Sequence, residues 1–192
     1  NWTAEAGDRV LLRAKSTTVV TVHPRKKTGT AVASPVSIQA EVATTSGTAV
    51  TIASSVPAWV KSLAIGVHSL STSGTSAIII QFGDSGGYEV TGYQGTSGAD
   101  GASSQLSSGF MIIPAAYVAA VDTLAGMFIF NREDSATQKW SCSGGSGRDS
   151  GAASGFTFGY KTLSDVLTQI RITTAGGTDT FDAGAVSITY LG

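Results

Sequence analysis

The pentapeptide GDSGG at residues 83–87 is the first stretch whose residue types could do chemistry, because it resembles a serine-protease nucleophile motif. A protease of that class needs a histidine and an aspartate as well as the serine, and the glycine turn supplies the oxyanion hole. His68 lies only 17 residues before Ser85, which is too close for the usual arrangement. The motif is therefore interpreted as a glycine-rich hairpin turn.

The acidic residues offer a second kind of chemistry, since a glycosidase needs two carboxyl groups across a cleft. The chain has 13 Asp and Glu residues, and two pairs could be placed in this way: Asp84 with Glu89, and Asp134 with Asp149. Their spacing is no more specific than that of any other scattered carboxylates. We therefore expect no enzyme, no catalytic residues and no cofactor.

The sequence gives only weak indications of a metal site or of a reactive thiol. Asp100, Asp149 and Asp179 lie in glycine-rich stretches, where carboxylates can bind Ca²⁺ together with backbone carbonyls. No spacing matches a calcium-binding loop, so Asx turns are favoured and no metal site is predicted. The single cysteine, Cys142, excludes an internal disulfide and is interpreted as a buried, unreactive thiol.

Aromatic and polar residues beside two long Gly/Ser-rich stretches, 94–108 and 141–155, suggest a binding surface. Both stretches are predicted to be loops, and exposed rings and polar groups on loops over a rigid scaffold suit sugar binding. The candidate receptor-binding residues are Tyr88, Tyr93, Trp140, Arg148 and Asp149. The same aromatic residues could instead pack in the core or at a subunit interface.

The composition of the chain argues against two classes of partner, nucleic acid and the membrane interior. The formal net charge is −1 and only 13% of the 192 residues are charged, against about 25% in an average globular domain. Such balance argues against binding of nucleic acid through a broad basic face. The most apolar stretch, AAYVAAVDTLAGMFIFN, is interrupted by Asp122 and Gly126, so no membrane insertion is expected.

Hydrophobic periodicity predicts the elements that must position these residues. Short runs alternate apolar and polar residues: Leu63, Ile65 and Val67 share a face in SLAIGVHSL, and Val36, Ile38, Ala40 and Val42 share a face in VSIQAEV. Period-two alternation with turn signals about every ten residues indicates an antiparallel sandwich or barrel. Helix is nearly absent, and its best candidate is the segment 115–126.

The sequence thus predicts an all-β fold in two parts. Residues 36–192 are expected to form an antiparallel, jelly-roll-like β-sandwich. Residues 1–35 are expected to form a short β-hairpin-like unit that carries half of the 12 basic residues. The chain begins at Asn1 without a methionine, which indicates a fragment or a processed product.

Two long stretches carry a resemblance to a known family. The segment SGTAVTIASSVPAWVKSLAIGVHSLSTSGTSAIIIQFGDSGGYEVTGYQG and the closing motif LTQIRITTAGGTDTFDAGAVSITYLG resemble the C-terminal domains of tailed-bacteriophage tail fibre and related tail proteins. The resemblance covers residues 45–192 in outline, and the closing motif is its most specific part. It implies a virion protein on the tail or another exposed fibre, a homotrimer, and attachment to a host surface glycan or protein receptor.

Within the closing motif, one set of residues is expected to face the core: Ile170, Ile172, Val186, Ile188 and Tyr190. A second set is expected to satisfy the turns through side-chain to backbone hydrogen bonds: Thr178, Asp179, Thr180 and Asp182.

These observations leave three hypotheses about function. The first is a trimeric adhesin, whose receptor specificity lies in 94–108 and 141–155. The second is a purely structural virion part, such as a baseplate or capsid-decorating domain, which binds other virion proteins, with the basic segment 9–27 as one contact. The third, a polysaccharide-degrading enzyme, is the least favoured, because such tail enzymes carry a much larger body.

Overall fold

The computed structural model describes residues 9–14, 20–25, 36–149 and 153–192. The chain divides into two compact units, Asn1–Ser37 and Ile38–Gly192. In the first unit, β1 (Arg9–Ala14) and β2 (Val20–Arg25) pair antiparallel, with Arg9 opposite Arg25. Lys26 and Lys27 of the basic segment, and residues 150–152 of the second predicted loop, lie outside the described residues.

The second unit is built on two antiparallel sheets that pack against each other, which confirms the predicted all-β sandwich. The strands of the larger sheet, in spatial order, are β10 (Ala102–Gln105), β9 (Tyr93–Ala99), β14 (Ala153–Thr162), β13 (Lys139–Arg148), β12 (Leu124–Asp134), β6 (Ser62–Thr72), β16 (Phe181–Leu191) and β3 (Val36–Ile38), with β4 (Val42–Ala43) also on β16. The strands of the smaller sheet are β11 (Phe110–Met111), β7 (Ile78–Asp84), β15 (Gln169–Thr174) and β5 (Ala49–Ala53), with β8 (Gly87–Tyr88) on β7.

The core lies between the sheets and is centred on aromatic rings. Phe82 of β7 packs on Phe130 of β12 with ring centroids 4.9 Å apart, and Phe110 of β11 packs on Phe130 at 5.2 Å. Edge-to-face and tilted contacts of this kind add to the burial of the rings themselves. Alternation places further side chains in this core, namely Leu63, Ile65 and Val67 of β6, Ile170 and Ile172 of β15, and Val186, Ile188 and Tyr190 of β16.

The closing motif has the buried face predicted from its sequence, and one of its four predicted turn residues, Asp179, makes a side-chain to backbone hydrogen bond. All five residues expected in the core are buried: Ile170, Ile172, Val186, Ile188 and Tyr190. The Asp179 carboxylate accepts a hydrogen bond of 2.9 Å from the Ser76 backbone N–H, so it fixes a turn from a neighbouring loop. The last strand is therefore held in the larger sheet by both its inward side chains and the turn before it.

Three predictions about elements are wrong. The stretches 94–108 and 141–155 are not long loops: the first is largely the β9–β10 hairpin, and the second lies mostly in β13 and β14. The segment 115–126 contains only a 3₁₀ turn, Ala115–Tyr117, before β12 begins. The expected inward face of 36–42 is also not seen at its start, because Val36 and Ile38 are exposed on a short edge strand.

Candidate functional site

Two of the five predicted receptor-binding residues are buried in the core. Tyr93 and Trp140 are each only 1% exposed. The hydroxyl of Tyr93 accepts a hydrogen bond of 2.8 Å from the Phe82 N–H and donates one of 3.0 Å to the Glu89 carbonyl. Trp140 packs edge-on against Phe82, with centroids 6.0 Å apart. Neither ring offers a face to a ligand, because period-two alternation turns both inward.

Tyr88 lies on the outer face of the smaller sheet. Its ring is half-buried beneath the Arg171 guanidinium, which lies 4.3 Å from the ring centroid. Its hydroxyl forms a hydrogen bond of 3.0 Å with Thr51 Oγ1. These contacts give Tyr88 a structural role on the sandwich face opposite to that of the site described below.

Arg148 and Asp149 are brought together in a pocket at one end of the larger sheet. The pocket, which we call the polar pocket, has a volume of about 320 Å³ and is lined by Ser69, Thr123, Ala125, Gly147, Arg148 and Asp149. Two of the five predicted residues, which are neighbours in the sequence, therefore line one concave surface.

The polar pocket is rigidly built. Arg148 Nη1 donates a hydrogen bond of 3.0 Å to Asp122 Oδ2, in an ion pair whose carboxylate is buried. Asp149 Oδ1 accepts a hydrogen bond of 3.0 Å from the Thr123 N–H, and Asp149 Oδ2 accepts a short one from the Thr123 hydroxyl. The Asp149 N–H in turn donates to the Thr123 carbonyl at 3.1 Å. These bonds hold the side chains of the pocket in one arrangement without a ligand.

Irregular strand pairing creates the pocket. The register shifts between Leu124 and Gly126 where β12 meets β6, and between Ala183 and Ala185 where β16 meets β6. Between these bulges Ser69 has a positive φ of 49°, a strained value for a residue with a side chain. Bulges redirect side chains locally and are common beside binding sites.

A groove follows the polar pocket along the same face. It has a volume of about 410 Å³ and is lined by Met127, Ile129, Ser143, Gly144 and Phe158; we call it the apolar groove. Ala125 of the polar pocket and Met127 of the groove are two residues apart on β12, so they point to the same side of the sheet. We call the polar pocket and the apolar groove together the outer-face site.

The glycine- and serine-rich strand β13 forms the floor of the groove. Its outward residues are small, while Ile129 on one neighbouring strand and Phe158 on the other lie in register with Ser143. Strands are about 4.8 Å apart, so the two walls stand roughly 10 Å from each other. A strand without large side chains between two strands that carry them therefore leaves a trough.

One wall of the groove is formed by aromatic rings on β14, which we call the aromatic wall, and this part of the site was not predicted from the sequence. Phe156, Phe158 and Tyr160 alternate along β14 and are 49%, 56% and 42% exposed. The apolar residues of GFTFGY predict a strand, and hydrophobic patterning alone would bury its rings. The signal lay in the intervening residues Gly155, Thr157, Gly159 and Lys161, which are too small or too polar to fill a core between two sheets.

The inward side of β14 has no room for rings. A Cβ atom at Gly159 would lie 2.3 Å from the Gln94 carbonyl oxygen and 2.6 Å from Leu106 Cδ1. On the same side, the Thr157 hydroxyl donates a hydrogen bond of 2.6 Å to the Met111 carbonyl, which ties the strand closely to the smaller sheet. The close approach on this side leaves the outside as the only place for the rings of β14.

The two carboxylate pairs considered for a glycosidase are not placed as such a site requires. Asp134 and Asp149 lie at opposite ends of the β12–β13 ladder, roughly 30 Å apart, whereas a glycosidase pair is separated by at most about 9.5 Å. Asp84 and Glu89 both accept hydrogen bonds from Ser164, at 2.5 Å and 2.6 Å. Glu89 also forms an ion pair with the buried Lys161, so this pair ties strands together.

The other motifs have structural roles. GDSGG joins β7 to β8 as the predicted hairpin turn, in which Asp84 Oδ1 accepts a hydrogen bond of 2.8 Å from the Gly86 N–H. Cys142 is buried, and burial raises the pKa of its thiol. Among the residues described, no cluster of three or more His, Cys, Asp or Glu side chains could hold a metal ion. In the same part of the chain, no helix has the length and hydropathy needed to span a bilayer.

No family model, no curated protein and no solved structure matches this chain. The likeness to phage tail fibre domains therefore stands on the sequence motifs quoted above.

Proposed function

We propose that this chain is a receptor-attachment domain of the tailed-phage tail fibre type, which binds a host surface molecule through the outer-face site. The observation that carries the proposal is a row of exposed rings beside a groove with a polar pocket at its end. Soluble domains seldom expose a contiguous apolar patch without a partner for it. The virion location and the homotrimeric state come from the resemblance and form part of the proposal.

Attachment without turnover suits this site better than catalysis. The side chains of the polar pocket are already engaged with one another, and the groove is lined by apolar and hydroxyl groups. Such a surface can bind and orient a ligand, but its described residues offer no pair of acid and base groups on either side of a bond.

A purely structural virion component is the second candidate, and one observation favours it. Ile38 is 77% exposed and Val36 is 46% exposed on the edge strand β3. Exposed apolar residues on an edge strand suit contact with another protein chain. In that case the ligand of this protein would be another virion protein.

Retention on bacterial cells tests the proposed function. Labelled protein would be incubated with a panel of Gram-negative and Gram-positive strains, and the cell-bound fraction would be measured after washing. We expect saturable binding to at least one strain, and a loss of binding in Phe158→Ser. The matched control is Tyr88→Ser, which removes a half-exposed ring from the opposite face. Absence of binding to every strain, or equal loss in both variants, would contradict the proposal.

A further inference from the structure

We propose that Lys161 and Glu89 become joined by an intramolecular isopeptide bond, an amide between the lysine amine and the glutamate carboxyl group that the folded chain forms by itself. The two side chains lie in direct contact, with Lys161 Nζ against Glu89 Oε2. This bond goes beyond the attachment function and does not depend on it. Three features support it: the place of the contact in the fold, the surroundings of the amine, and the group that holds the other carboxyl oxygen.

The contact joins the two sheets of the sandwich. Lys161 belongs to β14 of the larger sheet. Glu89 follows β8, and its N–H donates a hydrogen bond of 2.9 Å to the Phe82 carbonyl of β7, so it belongs to the smaller sheet. An amide bond at this place would be a covalent tie across the core, and it would close a loop that runs from β9 to β14. Closing a long loop restricts the unfolded chain, as a disulfide does.

The lysine amine is enclosed by the core. Lys161 lies opposite Trp140 on one neighbouring strand and opposite Tyr93 on the other, and all three residues are buried. The Lys161 side chain is 6% exposed, and that of Glu89 is 20% exposed. A Cβ atom at Gly92 would lie only 3.3 Å from Lys161 Nζ. Such close packing leaves little space for water around the amine, which favours a reaction that releases water.

Burial of the contact also favours the uncharged forms that can react. Taking an ammonium and a carboxylate out of water costs free energy for each charge. Transfer of one proton from Lys161 Nζ to Glu89 Oε2 removes both charges at once, and it leaves the neutral amine, which is the nucleophilic form of lysine. The amine is oriented, since Nζ also donates a hydrogen bond of 2.8 Å to the Thr162 carbonyl. Reacting groups held in place in this way reach effective concentrations of about 10⁵–10⁸ M.

The second oxygen of the Glu89 carboxyl group is held by the backbone. Oε1 accepts a hydrogen bond of 2.6 Å from the Ser164 N–H. When Lys161 Nζ attacks Glu89 Cδ, negative charge develops on Oε1, and a backbone N–H directed at that oxygen stabilises it. A second proton then passes from Nζ to Oε2, the Cδ–Oε2 bond breaks, and Oε2 leaves as water. The third hydrogen of the ammonium group stays on the new amide nitrogen, so the products carry no net charge.

Intact-mass spectrometry of the denatured protein tests the bond. The protein would be made in cells and also in a translation system of purified components, which contains no modifying enzymes. Formation of the bond releases one water molecule, so both preparations should be lighter than the sequence mass by about 18 Da. Tandem mass spectrometry of a chymotryptic digest should find the peptide that contains Lys161 joined to the peptide that contains Glu89.

Two lysine variants form a matched pair. Lys161→Arg keeps a positive charge beside Glu89 but cannot form this amide, so it should have its full sequence mass. Lys139→Arg changes the lysine that lies over the Tyr160 ring, and it should still lack one water molecule. Circular dichroism shows whether each variant is folded. The joined peptide in the unmodified protein decides the question even if Lys161→Arg fails to fold.

Three results would each overturn the proposal. A full sequence mass for the unmodified protein would show that Lys161 and Glu89 remain a non-covalent ion pair. A loss of water that persists in Lys161→Arg would place the dehydration elsewhere in the chain. A loss seen only in protein made in cells would mean that the folded chain does not form the bond by itself. None of these results bears on attachment, because neither residue lines the outer-face site.

Discussion

At the scale of single residues, Tyr93 is the clearest case of a group that serves the fold. It begins β9 of the larger sheet, and its hydroxyl is hydrogen bonded to Phe82 of the smaller sheet. Burial raises the pKa of this phenol, because the charged form would lose its hydration. A buried hydroxyl that both accepts and donates fixes how the two sheets meet, and a ligand has no access to it.

Removing this hydroxyl should destabilise the protein without affecting attachment. Tyr93→Phe leaves the Phe82 N–H without its acceptor, so the free energy of unfolding should fall by about 1–3 kcal/mol. Tyr160→Phe is the matched control, because the Tyr160 ring is exposed. Removal of its hydroxyl should change the free energy of unfolding by no more than about 0.5 kcal/mol. Urea unfolding of the three proteins measures the difference. Equal stabilities would show that the Tyr93 hydroxyl bonds contribute nothing.

Asp84 should make stability sensitive to acid. The Ser164 hydroxyl and the Gly86 N–H both donate to its carboxylate and lower its pKa. The folded state therefore favours the ionised form, so this contribution is present at neutral pH. It is lost as the pH falls below about 4, through the range where the unfolded carboxyl and then the folded one take up a proton.

The measurement is urea unfolding between pH 7 and pH 2 for the unmodified protein and for Ser164→Ala. Removal of the Ser164 hydroxyl brings the folded pKa of Asp84 closer to its unfolded value. The variant should therefore be less stable at neutral pH and lose less stability below pH 4. Identical slopes for both proteins would refute the role assigned to Ser164.

At the scale of elements, β13 shows what the sequence could and could not predict. Alternation correctly predicted the closing strands, because Ile170, Ile172, Val186 and Ile188 mark their buried faces. The segment SCSGGSG was interpreted as a loop, since glycine and serine are typical of turns. It is a strand because β12 and β14 pair with it on both sides along its whole length. Pairing partners are a property of the tertiary fold, which local propensity does not contain.

The same reasoning explains why the aromatic wall was missed. Hydrophobic patterning assigns the larger apolar face of a strand to the core, and in β14 that face is Phe156, Phe158 and Tyr160. The close approach at Gly159 reverses this assignment. Such reversals are expected where a sheet face has a function beyond folding.

Glycines of the central ladder should differ sharply in what they tolerate. A Cβ at Gly126 would lie 2.2 Å from the Gly145 carbonyl oxygen and 2.6 Å from Ser146 Cα, whereas at Gly147 the nearest atom among the described residues is 3.9 Å away. Gly126→Ala should therefore lower the free energy of unfolding by about 1–3 kcal/mol. Gly147→Ala should change the free energy of unfolding by less than about 1 kcal/mol. Chemical denaturation measures the free energy of unfolding of both variants. Similar losses would mean that the strands adjust to the added methyl group equally well at either position, which would contradict the prediction.

At the scale of the whole molecule, a single copy of the outer-face site would give only weak attachment under the proposed function. A shallow groove would exclude water from only one side of the proposed receptor, so each copy should dissociate quickly. Several copies on one rigid assembly gain affinity from effective concentration without any new contact. The homotrimer implied by the resemblance would supply that gain, and the outer-face site of each copy must then stay uncovered.

These requirements give a joint prediction for mass and dissociation. Native light scattering should show a species near three times 19.4 kDa. Dissociation from immobilised cell-surface extract should slow as the density of the extract is raised, because more than one site then engages. Phe158→Ser should keep the trimeric mass while losing retention, since the ring belongs to the binding face. A clean monomer whose dissociation is independent of density would contradict the trimer. A Phe158→Ser variant that falls to monomer would show that the outer face is a subunit interface and would contradict its proposed role in attachment.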